Sequence, residues 1–332
     1  MEGVRDELVL LAHGGGGKLM RRLIEEVFLE ELGGSDLNDS SILDLDGVSG
    51  KLAFTTDAFV VDPIFFPGGD IGKLAICGTV NDLAAVGARP LWFSASFIVE
   101  EGMRISDLAA IASSMAAVTR EVGAKVVAGD TKVVPRGKGG ELFISVSGIG
   151  VVESEIPISG AGAKVGDLIL INGPIGEHGI AVMLARENMG FISEVVSDCA
   201  PLWGMVRELI RSGCEVHAMR DPTRGGVAAA LNEIAEQSGV CIEIYEGEIP
   251  IRPEVLGACE LLGIDPLEVA NEGKMLVFVP ERDLPIALDH IPGGRAIGRV
   301  IDGPPGRVYL KTAIGARRIV EMPVGEILPR IC

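Results

Sequence analysis

Apolar residues recur along the chain at two spacings, one typical of helices and one typical of strands. Leu19, Leu23 and Val27 lie four residues apart and predict a helix over residues 18–32. The other elements predicted for the first half are a helix from Asp70 as N-cap to Val86, ended by Gly87, a helix capped by Ser106 that runs to Val122, and strands near 41–45, 51–56, 91–99, 126–127 and 141–152. The first half therefore mixes helices and strands.

A change of composition between residues 153 and 166, rich in proline and glycine, predicts a domain boundary. The elements predicted beyond it are strands near 167–171, 241–245, 274–279 and 296–301, and helices near 176–187, 201–212 and 224–238. Strands and helices do not alternate one for one, which favours an α+β fold over a doubly wound parallel sheet. We expect domains at 1–155 and 156–322, followed by a mobile tail at 323–332.

Charge and hydropathy narrow the classes of ligand. The 332 residues carry a net charge of −18 and have a pI near 4.7, so most of the surface should repel nucleic acid and anionic membranes. Mean hydropathy is high, at +0.38, but no apolar run reaches the roughly 18 residues of a spanning helix. Six cysteines without a Cys-x-x-Cys pair indicate a reducing cytoplasm rather than disulfides or structural zinc. We expect a cytoplasmic protein that binds neither nucleic acid nor membrane.

Four glycines open directly onto the first predicted helix. Gly14, Gly15, Gly16 and Gly17 precede Lys18, and their unhindered N–H groups at a helix N-terminus favour an anion such as phosphate. The sequence is not a Walker A motif, because Lys18 is followed by leucine. A flexible connector has the same composition, so the loop alone is a weak signal.

Carboxylates at several loops and one helix predict a metal site. The four candidates are Asp57, Asp82, Asp130 and Asp221. Mg²⁺ takes such hard oxygen ligands when it also bridges phosphate oxygens. An isolated aspartate in a turn is usually a solvated cap, but Lys132 and Arg224 close to two of these acids favour an anionic ligand.

Two further groups are candidates for acid–base chemistry. Glu272 stands beside Gly273 ahead of a predicted strand, where a partly desolvated carboxylate would have the raised pKa of a general base. A surface turn is the alternative for this segment. His217 lies four residues before Asp221, although a lone histidine, like His178, is more often structural.

The sequence ends on Cys332, and the residues before it are unusual for a solvated tail. Apolar side chains and helix-disfavouring prolines alternate there: Pro323, Ile327, Leu328, Pro329 and Ile331. Ten residues extend to at most roughly 30 Å, so the thiol could enter a site elsewhere on the molecule. A frayed terminus is the alternative.

Together these segments resemble the HypE family of hydrogenase maturation factors, within the PurM-like superfamily of aminoimidazole ribonucleotide synthetase and selenophosphate synthetase. The resemblance covers essentially the whole chain. The segments that carry it are 13–18, 55–57, 69–74, 78–83, 129–134, 221–226, 271–274 and 329–332. The aspartate motifs are typical of the superfamily, and the terminal Pro-Arg-Ile-Cys is typical of HypE.

The resemblance implies a reaction on the tail. A carbamoyltransferase, HypF, would load a carbamoyl group onto the Cys332 thiol, and MgATP would drive its dehydration to a thiocyanate. The cyano group would pass to iron on a HypC–HypD complex for the NiFe-hydrogenase site. The implied fold is two PurM-like domains, the first forming a β-barrel across a homodimer.

The resemblance also implies roles for single residues. The metal ligands would be Asp57, Asp82, Asp130 and Asp221, and the catalytic residues Cys332, Glu272, Lys132, Arg224 and His217, with Glu272 as base. The nucleotide-binding residues would be Gly14, Gly15, Gly16, Gly17, Lys18, Thr56, Asn81, Asp82, Gly129 and Thr131. Two alternatives stay open: a PurM-like synthetase acting on a diffusible substrate, and a non-catalytic carrier that presents Cys332.

Overall fold

A computed structural model describes residues 8–14, 18–33, 43, 50–186, 194–324 and 331–332. Three glycines of the predicted phosphate loop, Gly15, Gly16 and Gly17, lie outside these ranges, as does nearly all of the strand predicted at 41–45. None of the described helices is long and apolar enough to span a membrane.

The first half holds a four-stranded sheet covered on one face by helices. Its helices are α1 Lys18–Leu23, α2 Glu30–Leu32, α3 Ile71–Ala85 and α4 Ile105–Val122, with a π-helical segment Ile24–Leu29 between the first two and a short 3₁₀ turn Leu11–Gly14 before them. Its strands are β1 Leu52–Phe59, β2 Phe65–Phe66, β3 Gly69–Asp70, β4 Ala88–Glu100, β5 Lys125–Val134 and β6 Leu142–Val152. The sheet order is β1-β6-β4-β5, antiparallel except for the parallel β4–β5 pair.

The second half is a seven-stranded sheet with helices packed on it. Its strands are β7 Asp167–Ile171, β8 Ala218–Arg220, β9 Cys241–Tyr245, β10 Leu276–Pro280, β11 Arg295–Ile301, β12 Arg307–Lys311 and β13 Arg317–Ile319. Its helices are α5 Glu177–Arg186, α6 Trp203–Arg211, α7 Gly226–Ser238, α8 Pro253–Leu262 and α9 Leu284–His290. The strand order is β13-β12-β9-β11-β7-β10-β8, and among the described strands of this sheet only β9 and β12 pair in parallel. Two mostly antiparallel sheets with separate helices make the fold α+β.

Helix α3 is the element on which the site is built. Asp70 caps it as predicted, accepting hydrogen bonds from the backbone N–H groups of Gly72 and Lys73 at 2.8 and 3.0 Å. Most of its side chains are apolar and buried, because α3 packs on β1 and β6 on one side, on α4 on another and on α6 of the second half. Gly87, at φ 69°, follows the helix and lets the chain turn into β4.

One hydrophobic core runs from the first half into the second. Phe59, Val80 and Phe93 belong to the same buried cluster as Trp203 and Met275. Ile331, 3 % exposed, is part of this cluster too. The penultimate residue of the sequence is therefore packed inside the molecule.

Several predicted boundaries differ from the structure. Helix α4 begins at Ile105, and Ser106 is not its cap; Arg104 stands at the cap position and its side chain makes no capping hydrogen bond. Strand β5 continues to Val134, well beyond the prediction, because hydrogen bonds to β4 stabilise the polar stretch Gly129–Lys132 as strand. Elements α8, α9, β12 and β13 were not predicted, because their apolar patterns are short.

The face of the first sheet that points away from α3 is open. Large apolar side chains on it are exposed: Leu52 at 57 %, Phe54 at 68 % and Ile98 at 42 %. Exposed apolar side chains grouped on one sheet face are typical of an interaction surface.

Candidate active site

A cavity of about 330 Å³, counted with its open mouth, lies where the two halves meet. Its walls come from β1, α3, the turn before α7, the segment before β10 and the end of the chain. The lining residues are Asp57, Ala58, Phe59, Gly78, Asp82, Asp221, Thr223, Arg224, Glu272 and Cys332. Residues from five separate parts of the sequence thus share one small space.

The thiol of Cys332 lies in this cavity and donates a hydrogen bond to the Glu272 carboxylate. Burial raises the pKa of the thiol well above its usual value, and the negative charge of Glu272 raises it further. The positive charge of Arg224, exposed at the cavity wall, lowers the pKa of the thiol but does not outweigh these effects. The thiol is therefore held protonated and unreactive in the docked position.

Glu272 is the most deeply buried acid of the cavity, at 2 % exposure. Burial is the main cause that raises its pKa well above the usual range, followed by the charges of neighbouring acidic groups. Its Oε1 is buried and makes no hydrogen bond to any described residue. A carboxylate oxygen of this kind is available to accept a proton from a ligand.

The backbone around Glu272 is fixed by Asp198. Its Oδ1 accepts from the N–H of Glu272 at 3.2 Å, and its Oδ2 accepts from the N–H of Gly273 at 3.1 Å. Residue 273 must be glycine here, since a Cβ would lie 1.9 Å from the Asp198 carbonyl oxygen. Lys274 Nζ bonds the same carboxylate at 3.0 Å and offsets its charge.

Gly78 provides space at the floor of the cavity. A Cβ at this position would lie 2.9 Å from the Phe59 ring and 3.9 Å from Glu272 Oε2. The glycine thus lets the Phe59 ring pack against α3 beside the acid.

Three of the four predicted metal ligands line the cavity: Asp57, Asp82 and Asp221. Asp82 accepts a hydrogen bond from Thr55 Oγ1 at 2.7 Å. Burial raises the pKa of Asp82, and burial followed by the charge of Asp82 raises the pKa of Asp221 to about 7. These hard, mutually repelling oxygens suit Mg²⁺ chemically, although no three carboxylates, histidines or cysteines of the described residues are close enough to hold an ion by themselves. They fit a metal that arrives with other ligands, such as phosphate oxygens.

Asp221→Asn should stabilise the protein without ligand. The pKa of Asp221 in the folded state, about 7, exceeds the ordinary aspartate value of 3.8, so the folded state binds more protons between these values. The free energy of unfolding therefore falls as pH rises through that window. We expect the variant to gain about 1–3 kcal/mol at pH 8 and little at pH 4. Thermal unfolding at both pH values, without Mg²⁺ or nucleotide, measures this; Asp289→Asn, exposed on α9, is the control. Equal shifts at the two pH values would contradict the argument.

The fourth predicted ligand, Asp130, does not reach the cavity. Along the sheet, Asp57 pairs with Val146, Val146 with Ala95, and Ala95 with Gly129. Asp130 is one residue further and therefore lies on the opposite, open face. Lys132 lies on that face too and forms an exposed ion pair with Asp130 at 2.9 Å.

Three predicted nucleotide-binding residues, two on the first sheet and one on α3, do not line the cavity. Thr56 is exposed on the open face, where its Oγ1 accepts from Ser147 at 2.9 Å. Thr131 is buried, at 3 % exposure. The Asn81 amide bonds three main-chain groups, the carbonyls of residues 200 and 272 and the N–H of Leu202, so it joins α3 to the second half instead of facing a ligand.

His217 is not brought to the cavity either. Its Nδ1 lies 2.8 Å from Asp167 Oδ2 and its Nε2 lies 2.8 Å from Glu215 Oε1. The ring is buried at the edge of the second sheet, and both nitrogens are occupied by these acids. His217 therefore has a structural place, and the catalytic role predicted for it has no support in the geometry.

The glycine loop is described only at its ends. A Cβ on Gly14 would lie 2.7 Å from the backbone nitrogen of Val133, so this residue approaches β5 closely. Lys18 begins α1 and is exposed.

The residues that support the site from behind were not predicted to do so from the sequence. Asp198 holds the Glu272 backbone, Phe59 fills the space over Gly78, and His178 contacts the main chain of Ile331. Asp198 follows Ser197 in an irregular segment with no motif, so its sequence carries no signal. His178 was noted, but its partner lies 153 residues away.

Comparisons with known proteins agree with this architecture. A family model described as AIR synthase related protein, N-terminal domain, matches residues 37–152, and the corresponding C-terminal domain model matches residues 164–311. The carbamoyl dehydratase HypE of Rhodobacter capsulatus is 47 % identical over 338 residues, covering 99 % of each chain. The carbamoyl dehydratase HypE of Escherichia coli is 42 % identical and covers 98 % of this chain.

Solved structures of HypE proteins are also similar to this chain. A crystal structure of HypE in complex with ATP superposes with a TM-score of 0.93 at 42 % identity, covering 97 % of this chain and 99 % of that one. A HypE–HypF complex structure matches with a TM-score of 0.79 at 45 % identity, covering 91 % of this chain and 99 % of that one. With two family models over most of its length and full-length relatives at 42 and 47 % identity, this chain belongs to the AIR synthase related proteins and, within them, to the carbamoyl dehydratase HypE family.

Proposed function

We propose that this protein acts in hydrogenase maturation by dehydrating a carbamoyl group on the Cys332 thiol to a thiocyanate at the expense of ATP. The observation that carries the proposal is the position of Cys332, whose thiol donates a hydrogen bond to the buried Glu272 carboxylate in a cavity shared with three aspartates. A tail that merely ended in solvent would not bury Ile331 to 3 % exposure.

The chemistry requires both an activator and a base. The thiocarbamate Cys332–S–CO–NH₂ loses its oxygen and two nitrogen-bound protons to become Cys332–S–C≡N. Amide oxygen is a poor leaving group, and transfer of the γ-phosphoryl group of ATP to that oxygen lets it depart as phosphate. The sum is thiocarbamate plus ATP giving thiocyanate, ADP, phosphate and one proton.

Glu272 is the proposed base. Its Oε1 has no hydrogen-bond partner among the described residues, and its raised pKa makes its ionised form a stronger base than an ordinary carboxylate. With a carbamoyl group on Cys332, the nitrogen would come within reach of this oxygen. Glu272 would accept the protons that leave nitrogen as the triple bond forms.

The nucleotide is proposed to lie against the aspartate side of the cavity. The ATP complex of a relative with a TM-score of 0.93 supports ATP as the ligand. Asp57, Asp82 and Asp221 would hold Mg²⁺, which would neutralise the triphosphate and orient it for in-line transfer. Arg224 at the cavity wall would offset charge on the transferred group, and Gly14 to Lys18 would cover the phosphates.

The open face of the first sheet supports a homodimer. Phe54 and Ile98 would be buried if two such sheets faced each other and closed a β-barrel. Asp130 and Lys132 lie at the edge strand of the same face, so they would serve at the interface of two chains and not in the cavity of their own chain. Sedimentation equilibrium should give the mass of two chains.

Two partners follow from the reaction. A carbamoyltransferase must load the thiol, and the HypE–HypF complex of a relative supports HypF in this role. An iron-bearing acceptor must take the cyano group, and we assign this role to a HypC–HypD complex. Both require Cys332 to leave the cavity, so docked and undocked states must be close in free energy.

Intact-mass spectrometry tests the proposal. The chain is loaded with the carbamoyltransferase and carbamoyl phosphate, and MgATP is then added. We expect a carbamoyl adduct on Cys332 that loses one water only when MgATP is present. An adduct on another cysteine, or ATP consumption that requires an added small molecule instead of the loaded tail, would refute it.

A further inference from the structure

A histidine that does not line the cavity holds the main chain at residue 331. His178 Nε2 lies 2.9 Å from the carbonyl oxygen of Ile331, and both residues are buried, at 0 and 3 % exposure. His178 stands in the first turn of α5, and its ring meets the Phe66 ring edge-on with centroids 5.4 Å apart. The contact fixes the backbone one residue before the Cys332 thiol.

The hydrogen-bond pattern determines the tautomer of His178. A carbonyl oxygen only accepts, so Nε2 must carry the hydrogen. Burial lowers the pKa of His178, which keeps the ring neutral and leaves Nδ1 without a hydrogen. Nδ1 then accepts from the Ser197 hydroxyl at 2.7 Å, and Ser197 Oγ accepts from the Cys199 N–H at 3.1 Å. One directed chain of hydrogen bonds thus runs from the Cys199 backbone to the Ile331 carbonyl.

The same short segment positions Glu272. Ser197 orients His178, while the next residue, Asp198, accepts hydrogen bonds from the backbone of Glu272 and Gly273. The segment is tied to the first half by the bond from the Ser197 N–H to the Pro67 carbonyl at 2.8 Å. The base and the docked tail are therefore held relative to each other by neighbouring residues.

We infer that His178 is a positioning residue, whose Nε2–H holds the Ile331 carbonyl so that the Cys332 thiol lies beside Glu272, and that Ser197 sets the ring tautomer this requires. The role in turnover rests on the proposed function, but the role in tail docking does not. Burying the Ile331 carbonyl without a donor is unfavourable, so loss of His178 should shift the tail toward the undocked state roughly 10- to 100-fold.

Substitutions of His178 can distinguish the effect of its N–H donor from the effect of its packing. His178→Gln can place an N–H near the position of Nε2, whereas His178→Asn reaches only as far as Nδ1 and His178→Leu has no donor. Ser197→Ala removes the hydroxyl that sets the tautomer. His290→Leu, on the surface helix α9, is the matched control.

Two measurements on the full chain are used. The first is the rate of Cys332 alkylation by iodoacetamide without nucleotide, mapped by peptide mass spectrometry. The second is single-turnover dehydration of the loaded tail, with MgATP affinity measured in parallel.

For His178→Leu we expect alkylation to be roughly 10- to 100-fold faster and dehydration slower by a similar factor, with MgATP affinity unchanged. His178→Gln should recover most of both rates, His178→Asn should not, and Ser197→Ala should be intermediate. Unchanged alkylation in His178→Leu, or equal rates in the Gln, Asn and Leu variants, would overturn the inference. If His178→Leu does not fold, the contrast between Gln and Asn decides the donor role. If wild type alkylates as expected but never dehydrates its tail, the proposed function fails and the docking role stands.

Discussion

Cys332→Ala is expected to abolish both loading of the carbamoyl group and formation of the thiocyanate, while the fold and MgATP binding are retained. The reacting carbon is carried by this sulfur, so no other group can substitute for it. The truncated side chain leaves only a small space in a cavity that is already open to solvent. Mass spectrometry of the treated chain measures loading and thiocyanate formation, and thermal unfolding measures whether the fold is retained.

The other five cysteines supply the control. All are buried, and Cys241, in β9 of the second sheet, is not part of the cavity. Cys241→Ala should load and dehydrate like wild type. A carbamoyl adduct that persists in Cys332→Ala would place the reaction on another residue.

Glu272→Gln should leave nucleotide binding intact and slow dehydration by roughly 10² to 10⁴, the usual effect of losing an essential proton-transfer group. The carboxamide has nearly the same shape, and the bonds that fix the backbone come from Asp198, so the site should not collapse. Single-turnover quenching of the loaded chain gives the rate, and a titration with ATP gives the affinity.

The same variant has a second, independent signature. The Glu272 carboxylate raises the pKa of the Cys332 thiol through its charge and by accepting the thiol hydrogen. With glutamine this contribution is lost, so the pH profile of Cys332 alkylation should move to lower pH. Glu260→Gln, exposed on α8, should change neither the profile nor the rate. A wild-type dehydration rate in Glu272→Gln would remove this residue from the role of base.

Local chemistry made part of the architecture predictable. Neighbouring residues alone predict the Asp70 cap, the glycine that ends α3, and the mixture of strand pairs with helices. The structure confirms all three predictions. Glu272 beside Gly273 was also recognisable in the sequence, although glycine is needed there because a side chain at 273 would collide with the Asp198 backbone. The role of Glu272 as base stays a prediction.

The remaining features depend on contacts between distant residues. Placing Asp130 on the open face requires the register of three strand pairs, which the sequence of β5 does not contain. Asn81 looked like a ligand-binding residue in a polar motif, but its partners are 119 to 191 residues away. The tautomer of His178 depends on a serine and on the end of the chain. Local sequence patterns identify candidate functional groups, but which of these groups are in contact depends on the tertiary structure.

The docked position of Cys332 also bears on how the reaction depends on concentration. A group attached to the same chain as its site is present there at an effective concentration of roughly millimolar, set by the connecting segment and independent of how much protein is in solution. Dehydration should therefore be first order in loaded protein and unchanged by dilution. A free thiocarbamate would compete only when it is supplied at similarly high concentration. Loading and unloading, which need other proteins, are then the steps that respond to protein levels in the cell.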